Sequence, residues 1–120
     1  MRNVLVLIFL SLLIFNPSIS AQSGDTGALS YRKENARWAW YDYGDKEVDG
    51  KYVGEIKNLK PDGSGTYTYG KGKWEGDKYE GMWKRGEFHG HGTYTRSNGH
   101  KFVGEWKNNV LNDFTEYDKY

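Results

Sequence analysis

The sequence predicts an all-β fold, in which stacked antiparallel β-hairpins form an elongated single-layer repeat sheet after a cleavable signal peptide. Two observations predict the sheet. The 120 residues contain 16 Gly together with 5 Trp, 10 Tyr and 5 Phe, although glycine-rich chains usually lack large aromatics. An internal repeat, in which glycine and aromatic positions recur together, is the second observation. A chain of this length forms at most one small domain.

The charge and cysteine content exclude several classes of function. The chain has 17 Lys+Arg against 16 Asp+Glu and no Cys, which gives a formal net charge of +1. A strongly basic nucleic-acid binder is excluded on this balance. The lack of cysteine excludes a disulfide scaffold, a cysteine zinc site and a thiol nucleophile.

The first 21 residues have the layout of a secretory signal. Arg2 precedes residues 4–15, which are apolar except for Ser11, and Pro17 then leads to small residues before Ala21. The apolar stretch is shorter than the roughly 20 residues that span a bilayer. We predict a signal peptide over residues 1–21 and a periplasmic or extracellular location after cleavage near Ala21. An uncleaved N-terminal anchor is the alternative.

The segment after the signal peptide predicts a flexible linker. Residues 22–28 read QSGDTGA, and such small polar residues bury too little apolar area to offset chain entropy. Aromatics become dense from about Ala36 onwards. We therefore predict a linker over residues 22–35 and a β-repeat domain over residues 36–120.

Three segments of the chain align with one another. YVGEIKNLKPDGSGTYT at residues 52–68 matches YEGMWKRGEFHGHGTYT at residues 79–95, and FVGEWKN at residues 102–108 matches the first half again. The spacing predicts repeats at about 52–74 and 79–101 and a partial third repeat at 102–120, with extra residues in the first connection. Turn-forming residues follow each first strand, within residues 58–63 and 85–90.

Each repeat alternates with the period of a strand. Tyr52, Gly54 and Ile56 share one face, while Val53 and Glu55 share the other. We expect the aromatic face to be packed. A glycine opposite an aromatic leaves room for the ring, which explains why the two residue types recur together.

The segment at residues 79–95 resembles a MORN (membrane occupation and recognition nexus) repeat, and the resemblance extends from residue 52 to about residue 108. It implies a sheet of stacked hairpins with a concave aromatic surface, used as a non-catalytic binding or scaffolding module. Ile56 stands where an aromatic is usual and Leu59 where a turn glycine is usual. Asp113 and Thr115 stand where the third repeat should have glycines, which predicts a cap over residues 108–120.

We expect the aromatic residues of the repeats mainly to form the core, and some of them also to line a groove. A single-layer sheet cannot bury both faces, so some rings are expected to line a ligand or partner groove. The predicted aromatic groove residues are Tyr52, Tyr67, Tyr79, Trp83, Tyr94, Phe102 and Trp106.

The central part of the chain is basic. Residues 51–107 carry eleven Lys or Arg and seven Asp or Glu, whereas the segments on both sides are acidic. Lysines also protect sheet edges, so an ordinary solvated face explains part of this charge. The predicted contacts for an anionic surface are Lys71, Lys73, Lys84 and Arg85.

Other chemistry has little support in the sequence. His89 and His91 lie two residues apart and would share a strand face, but no third metal ligand stands out, so no metal site is predicted. Glu75, Asp77 and Glu80 are the only carboxylates considered for a small glycan hydrolase, a remote alternative. We predict no catalytic residue and no cofactor.

The sequence predicts a secreted, non-catalytic module for protein–protein binding or scaffolding. The alternative is an envelope-associated module that binds anionic lipid head groups or polysaccharide through the central cations and exposed rings. No nucleic-acid partner is expected. Because two and a half hairpins are few for an independent repeat array, we also expect a homo-oligomer formed through a sheet edge or the concave face.

Overall fold

The computed structural model describes residues 25–118, and they form one antiparallel sheet. Its strands are β1 (Asp25–Glu34), β2 (Arg37–Tyr41), β3 (Gly50–Lys57), β4 (Lys60–Thr68), β5 (Lys78–Lys84), β6 (Glu87–Thr95), β7 (Lys101–Lys107) and β8 (Val110–Tyr117). Their order across the sheet is β2-β1-β3-β4-β5-β6-β7-β8. Within residues 25–118 there is no helix that is long and apolar enough to cross a membrane. The predicted all-β fold of stacked hairpins is confirmed.

Side chains alternate between a packed and an exposed face, as predicted. Tyr52 is fully buried and Ile56 is 9 % exposed, whereas Val53 between them is 53 % exposed. Two rows run across the packed side, which we call the aromatic face. The apolar row consists of Leu29, Tyr52, Tyr67, Tyr79, Tyr94 and Phe102. The glycine row beside it consists of Gly27, Gly54, Gly65, Gly81, Gly92 and Gly104.

The glycine row makes space for the rings of the apolar row. A Cβ atom on Gly65 would overlap the Tyr52 ring, and one on Gly92 would overlap the Tyr79 ring. With the space open, the Tyr52 hydroxyl reaches the backbone and donates a 2.6 Å hydrogen bond to the Glu55 carbonyl. The pairing of glycine with aromatics is therefore a packing rule of this sheet.

The repeat hairpins close through two-residue turns. Asn58 and Leu59 have φ angles of 53° and 57°, and Arg85 and Gly86 have φ angles of 50° and 83°. Two successive left-handed residues are typical of the type I′ turn, which matches the strand twist. The turns are thus shorter than the six residues expected, because the residues after them already pair in β4 and β6. Leu59 occupies a conformation that favours glycine.

The predicted linker over residues 22–35 is wrong from residue 25 onwards, because β1 occupies most of it. Leu29 is only 3 % exposed and continues the apolar row, and Gly27 continues the glycine row. The order Gly27-Ala-Leu29 is the glycine-x-apolar order of the returning strands, so β1 packs as a half-repeat. Residues 22–24 and the predicted signal peptide at 1–21 lie outside the described residues.

The segment predicted as a cap, residues 108–120, contains β8, which ends the sheet and completes a third hairpin with β7. Its register differs from that of the second repeat. Phe114 stands opposite Gly104, and Thr115 stands opposite Val103. Because a one-residue shift exchanges the two faces of a strand, Phe114 instead of Thr115 lies on the aromatic face, where its ring is 5.9 Å from that of Phe102.

Candidate functional site

Most of the predicted aromatic groove residues are core residues. Tyr52, Tyr67, Tyr79, Trp83 and Trp106 are buried, and Tyr94 and Phe102 are partly buried. Their rings pack edge to face, as in the 5.1 Å contact of Tyr52 with Trp83 at an interplanar angle of 79°, a preferred geometry for aromatic pairs. The Trp83 indole N–H donates a 3.1 Å hydrogen bond to the Gly65 carbonyl. These rings hold the sheet together and leave few faces for a ligand.

Burial raises the pKa values of the core tyrosines. Desolvation raises the pKa of Tyr79 to about 12, and it raises the pKa values of Tyr52 and Tyr67 well above the usual range. The cause is that a phenolate inside the sheet would lose its hydration. Their hydroxyls stay neutral at physiological pH, so they contribute no negative charge to the aromatic face.

The N-terminal hairpin folds over the aromatic face. In a flat sheet β2 and β5 would lie about 19 Å apart, at about 4.8 Å for each strand step. The Trp40 ring of β2 is nevertheless 5.9 Å from the Trp83 ring of β5 and 5.5 Å from the Tyr67 ring of β4. The sheet therefore curls, and Trp40 covers its concave side. Gly86 permits this approach, since a Cβ atom there would lie 2.8 Å from the Trp40 indole nitrogen.

The connection between β4 and β5, residues 69–77, forms a second wall of this concave side. The amide of Tyr69 donates to the Asp77 carbonyl at 2.9 Å, and the amide of Lys71 donates to the Val48 carbonyl at 2.8 Å. The first bond closes the loop on itself, and the second holds the loop against the segment before β3. At its tip, Trp74 is 46 % exposed, and the Lys73 ammonium lies 4.7 Å from the centre of its ring.

The side chain of Asp77 fixes the end of the 69–77 loop. Its carboxylate is 5 % exposed and accepts hydrogen bonds from the Tyr94 hydroxyl at 2.6 Å and from the Ser97 amide at 2.9 Å. A buried carboxylate persists only where hydrogen bonds replace its hydration. Asp77 therefore ties the 69–77 loop to the turn between β6 and β7.

A groove of about 1050 Å³ lies between the N-terminal hairpin, the 69–77 loop and the turn between β5 and β6. We call it the concave groove. The aromatic residues that line it are Tyr31, Trp38, Trp40, Tyr67, Tyr69, Trp74, Trp83 and Phe88. Its charged residues are Lys33, Lys60, Lys71, Lys73, Arg85, Asp49 and Glu87. The Arg32 guanidinium, 3.3 Å away, already holds Asp49, so positive charge dominates the groove.

Part of the predicted cation set lines the concave groove. Lys71, Lys73 and Arg85 are in its walls, whereas Lys84 is not. Lys84 follows Trp83 on β5, so its side chain projects from the opposite face. The groove also contains Lys60 from β4.

Sequence reasoning missed Trp38, Trp74, Lys33 and Lys60 as groove residues. Trp74 lies in the extra residues of the first connection, where the repeat pattern is interrupted. This interruption is the feature of the sequence that indicates a groove residue here. Trp38 is on β2, outside the recognised repeats, and is 59 % exposed. Only the curling of the sheet brings Trp38 and Trp74 to one groove, and no sequence period shows that curling.

The carboxylates considered for catalysis do not act together. Glu75 pairs with Lys71 at 3.5 Å and Glu80 pairs with Lys78 at 3.5 Å. The Asp77 carboxylate instead accepts hydrogen bonds from Tyr94 and Ser97. His91 lies 3.0 Å from a Glu105 carboxylate oxygen. Among residues 25–118, no group of three or more metal-ligating side chains is placed to hold a metal ion.

The comparison with known proteins identifies the repeats. The family model of the MORN repeat matches residues 52–76, 79–101 and 102–112, which correspond to the hairpins that begin at β3, β5 and β7. No curated protein matches the chain. MORN repeats are in general non-catalytic modules for binding and scaffolding. Because the family model matches all three of these hairpins, the chain belongs to the MORN-repeat proteins.

Proposed function

We propose that the chain is a secreted, non-catalytic binding module that holds its ligand in the concave groove. One observation carries this proposal: exposed indoles and lysines line a recess on an otherwise packed face. A recess lined by exposed aromatic rings and a few polar or charged groups is typical of a ligand site. Secretion rests on the pattern of residues 1–21, and we expect the exported protein to begin near Gln22.

The charge of the concave groove favours an anionic ligand over a neutral one. Five cations line it against two carboxylates, and one of these carboxylates, Asp49, is held by Arg32 at 3.3 Å. Like charges gathered in a recess raise the local concentration of counter-ions and attract a ligand of opposite sign. Of the two ligand classes expected from the sequence, the groove therefore supports the anionic one.

A capture experiment with two variants tests whether the concave groove is the binding site. The chain from Gln22 onwards, which contains the whole described sheet, is immobilised and exposed to the envelope and culture medium of its own cells. We expect Trp38→Ala combined with Trp74→Ala to lose molecules that the native protein retains. Val53→Ala, an exposed substitution on the opposite face, should retain them. An identical retained set for all three proteins would refute the groove as the site.

A second function, protein scaffolding, is supported by the edge strand β8. It ends the sheet, contains no Lys or Pro, and exposes Val110, Phe114 and Tyr117. Although it carries Asp113 and Glu116, this free edge can accept a strand from a protein partner or from a second copy. Sedimentation tests this function for self-association: we expect Phe114→Lys to shift an oligomer toward monomer, and a native protein that is monomeric at high concentration would exclude the homo-oligomer.

A further inference from the structure

We infer that the ligand of the concave groove is an acidic polysaccharide, in which sugar rings contact Trp38 and Trp74 while carboxylate or sulfate groups contact the lysines. This inference rests on the proposed function and adds the chemical class of the ligand. It depends on three features of the groove: the two exposed indoles, the cations without an acidic partner, and the lack of backbone hydrogen-bonding groups on a sheet face.

The two indoles offer ring faces on different walls of the groove. Trp38 stacks one face on Tyr31, with ring centres 5.4 Å apart and an interplanar angle of 17°, and it remains 59 % exposed. Trp74 stands on the 69–77 loop and is 46 % exposed. Neither belongs to the buried core. Exposed, partly supported indoles can stack on flat apolar faces, and the C–H face of a sugar ring is such a surface.

Within the part of the chain that the structure describes, four of the five cations that line the groove have no carboxylate partner. Among residues 25–118, no carboxylate lies within ion-pair distance of the side chains of Lys33, Lys60, Lys73 or Arg85. Lys71 differs, since it pairs with Glu75. Unpaired cations beside apolar rings match a polymer that repeats an apolar ring and an anionic group. Charge-assisted hydrogen bonds to carboxylate or sulfate would then fix the polymer in place.

The floor of the groove argues against an extended acidic peptide. Peptides that bind to sheets usually add a strand at an edge, where main-chain N–H and C=O groups are available. The floor here is a sheet face, whose backbone groups are already paired in the ladders from β3 to β6. Tyr67 and Trp83 cover it with rings. A peptide would find no main-chain partners on this floor, and strand addition would have to use the free edge of β2 at the wall of the groove. A sugar ring can instead lie on the rings of the floor.

The shape of the groove argues against a bilayer surface. A bilayer surface is flat compared with a groove between two hairpins, so a protein contacts it through side chains that protrude. Here Lys33, Lys60 and Arg85 line a recess between the N-terminal hairpin and a turn. Its volume of about 1050 Å³ is slightly above the roughly 300–1,000 Å³ that is usual for small-ligand sites. A polymer chain can enter such a recess, and a bilayer cannot.

The test compares defined probes on the chain from Gln22 onwards. Heparin and polygalacturonate are the acidic polysaccharides, dextran is the neutral one, poly-glutamate is the acidic peptide, and phosphatidylserine vesicles are the anionic lipid. Binding is followed by calorimetry and by tryptophan fluorescence at low and high salt. We expect an acidic polysaccharide to bind, to change the fluorescence, and to weaken as salt rises. Dextran and vesicles should not bind, and poly-glutamate should bind at least about tenfold more weakly.

Variants then assign this binding to the groove. We expect Lys33→Glu and Lys73→Glu each to weaken polysaccharide binding about tenfold. Lys84→Glu changes the net charge equally but lies on the opposite face, so it should change the affinity by less than about twofold. Trp38→Ala and Trp74→Ala should weaken polysaccharide binding more than poly-glutamate binding. All five residues lie outside the buried core, and unfolding curves of the variants would confirm that they fold.

The outcomes separate this inference from the proposed function. Equal effects of Lys33→Glu and Lys84→Glu would overturn the inference, because the binding would then follow net charge alone. Tighter binding of poly-glutamate or of vesicles would overturn it in favour of an acidic protein or a lipid surface. If no polysaccharide binds while the Trp38→Ala/Trp74→Ala variant still loses captured molecules, the inference fails and the proposed function stands. If that variant loses nothing, both fail.

Discussion

The left-handed turn at Leu59 predicts an inverted ranking of alanine and glycine. At most strand positions glycine is less stable than alanine, because it gains more freedom in the unfolded chain. Leu59 has a φ angle of 57°, where a Cβ atom meets the following carbonyl oxygen. We therefore expect Leu59→Gly to be more stable than Leu59→Ala. Both variants remove the same exposed side chain beyond Cβ, so their difference isolates the backbone conformation.

The expected difference follows from two opposing terms. A Cβ atom in the left-handed region costs about 1–2 kcal/mol. Glycine loses about 0.4–1 kcal/mol through its more flexible unfolded state. The balance favours Leu59→Gly over Leu59→Ala by about 1 kcal/mol in the free energy of unfolding. For a domain of this size, that difference corresponds to a Tm about 4–8 °C higher.

Urea unfolding followed by tryptophan fluorescence measures this difference. Val53 is the matched control because it has the same 53 % exposure as Leu59 but lies within a strand. There we expect the ordinary ranking, with Val53→Ala more stable than Val53→Gly by about 0.5–1 kcal/mol. If Leu59→Ala equals or exceeds Leu59→Gly in stability, the turn is not left-handed in solution and the reasoning is refuted.

Three further predictions concern the core and the loop. Gly92→Ala should lower the free energy of unfolding by about 1–3 kcal/mol, because the added Cβ would overlap the Tyr79 ring; unchanged urea unfolding would contradict this. Because burial raises the pKa of Tyr79 from 10.0 to about 12, stability present at neutral pH should fall as pH rises above 10; a free energy of unfolding in urea that stays constant between about pH 9 and about pH 12 would disprove it. Asp77→Asn should cost about 1–3 kcal/mol through the weakened bond to Tyr94 and speed amide exchange in residues 69–77; unaltered exchange would exclude Asp77 as the anchor.

The repeat hairpins could be predicted from the sequence because their rule is local. Alternation places Tyr52 and Ile56 on one face, and a glycine on the neighbouring strand accepts each ring. The same rule was present at Gly27 and Leu29, but the surrounding small polar residues indicated a linker. Pairing with β3, a contact distant in sequence, is what orders β1. The register of β8 also escaped prediction, because it depends on whether Phe114 or Thr115 packs against its neighbours.

The candidate site was less accessible to prediction than the fold. The central lysines were visible, and Lys71, Lys73 and Arg85 do line the concave groove. The predicted aromatic groove residues hold regular positions of the repeat, and those positions bury most of them. Residues outside the repeat pattern, such as Trp38 and Trp74, supply the exposed rings. A periodic pattern predicts packing, so ligand contacts are better sought where the pattern is interrupted.

The contact of Trp40 with Trp83 affects how the array folds. In a simple repeat array each unit contacts only its neighbours, so the end units can fray while the rest stays folded. Here a ring from the N-terminal hairpin reaches the second repeat hairpin and passes over the first. Opening that hairpin uncovers side chains of two repeats at once. We therefore expect unfolding of the N-terminal half to be coupled beyond nearest neighbours, which favours cooperative unfolding of these few hairpins.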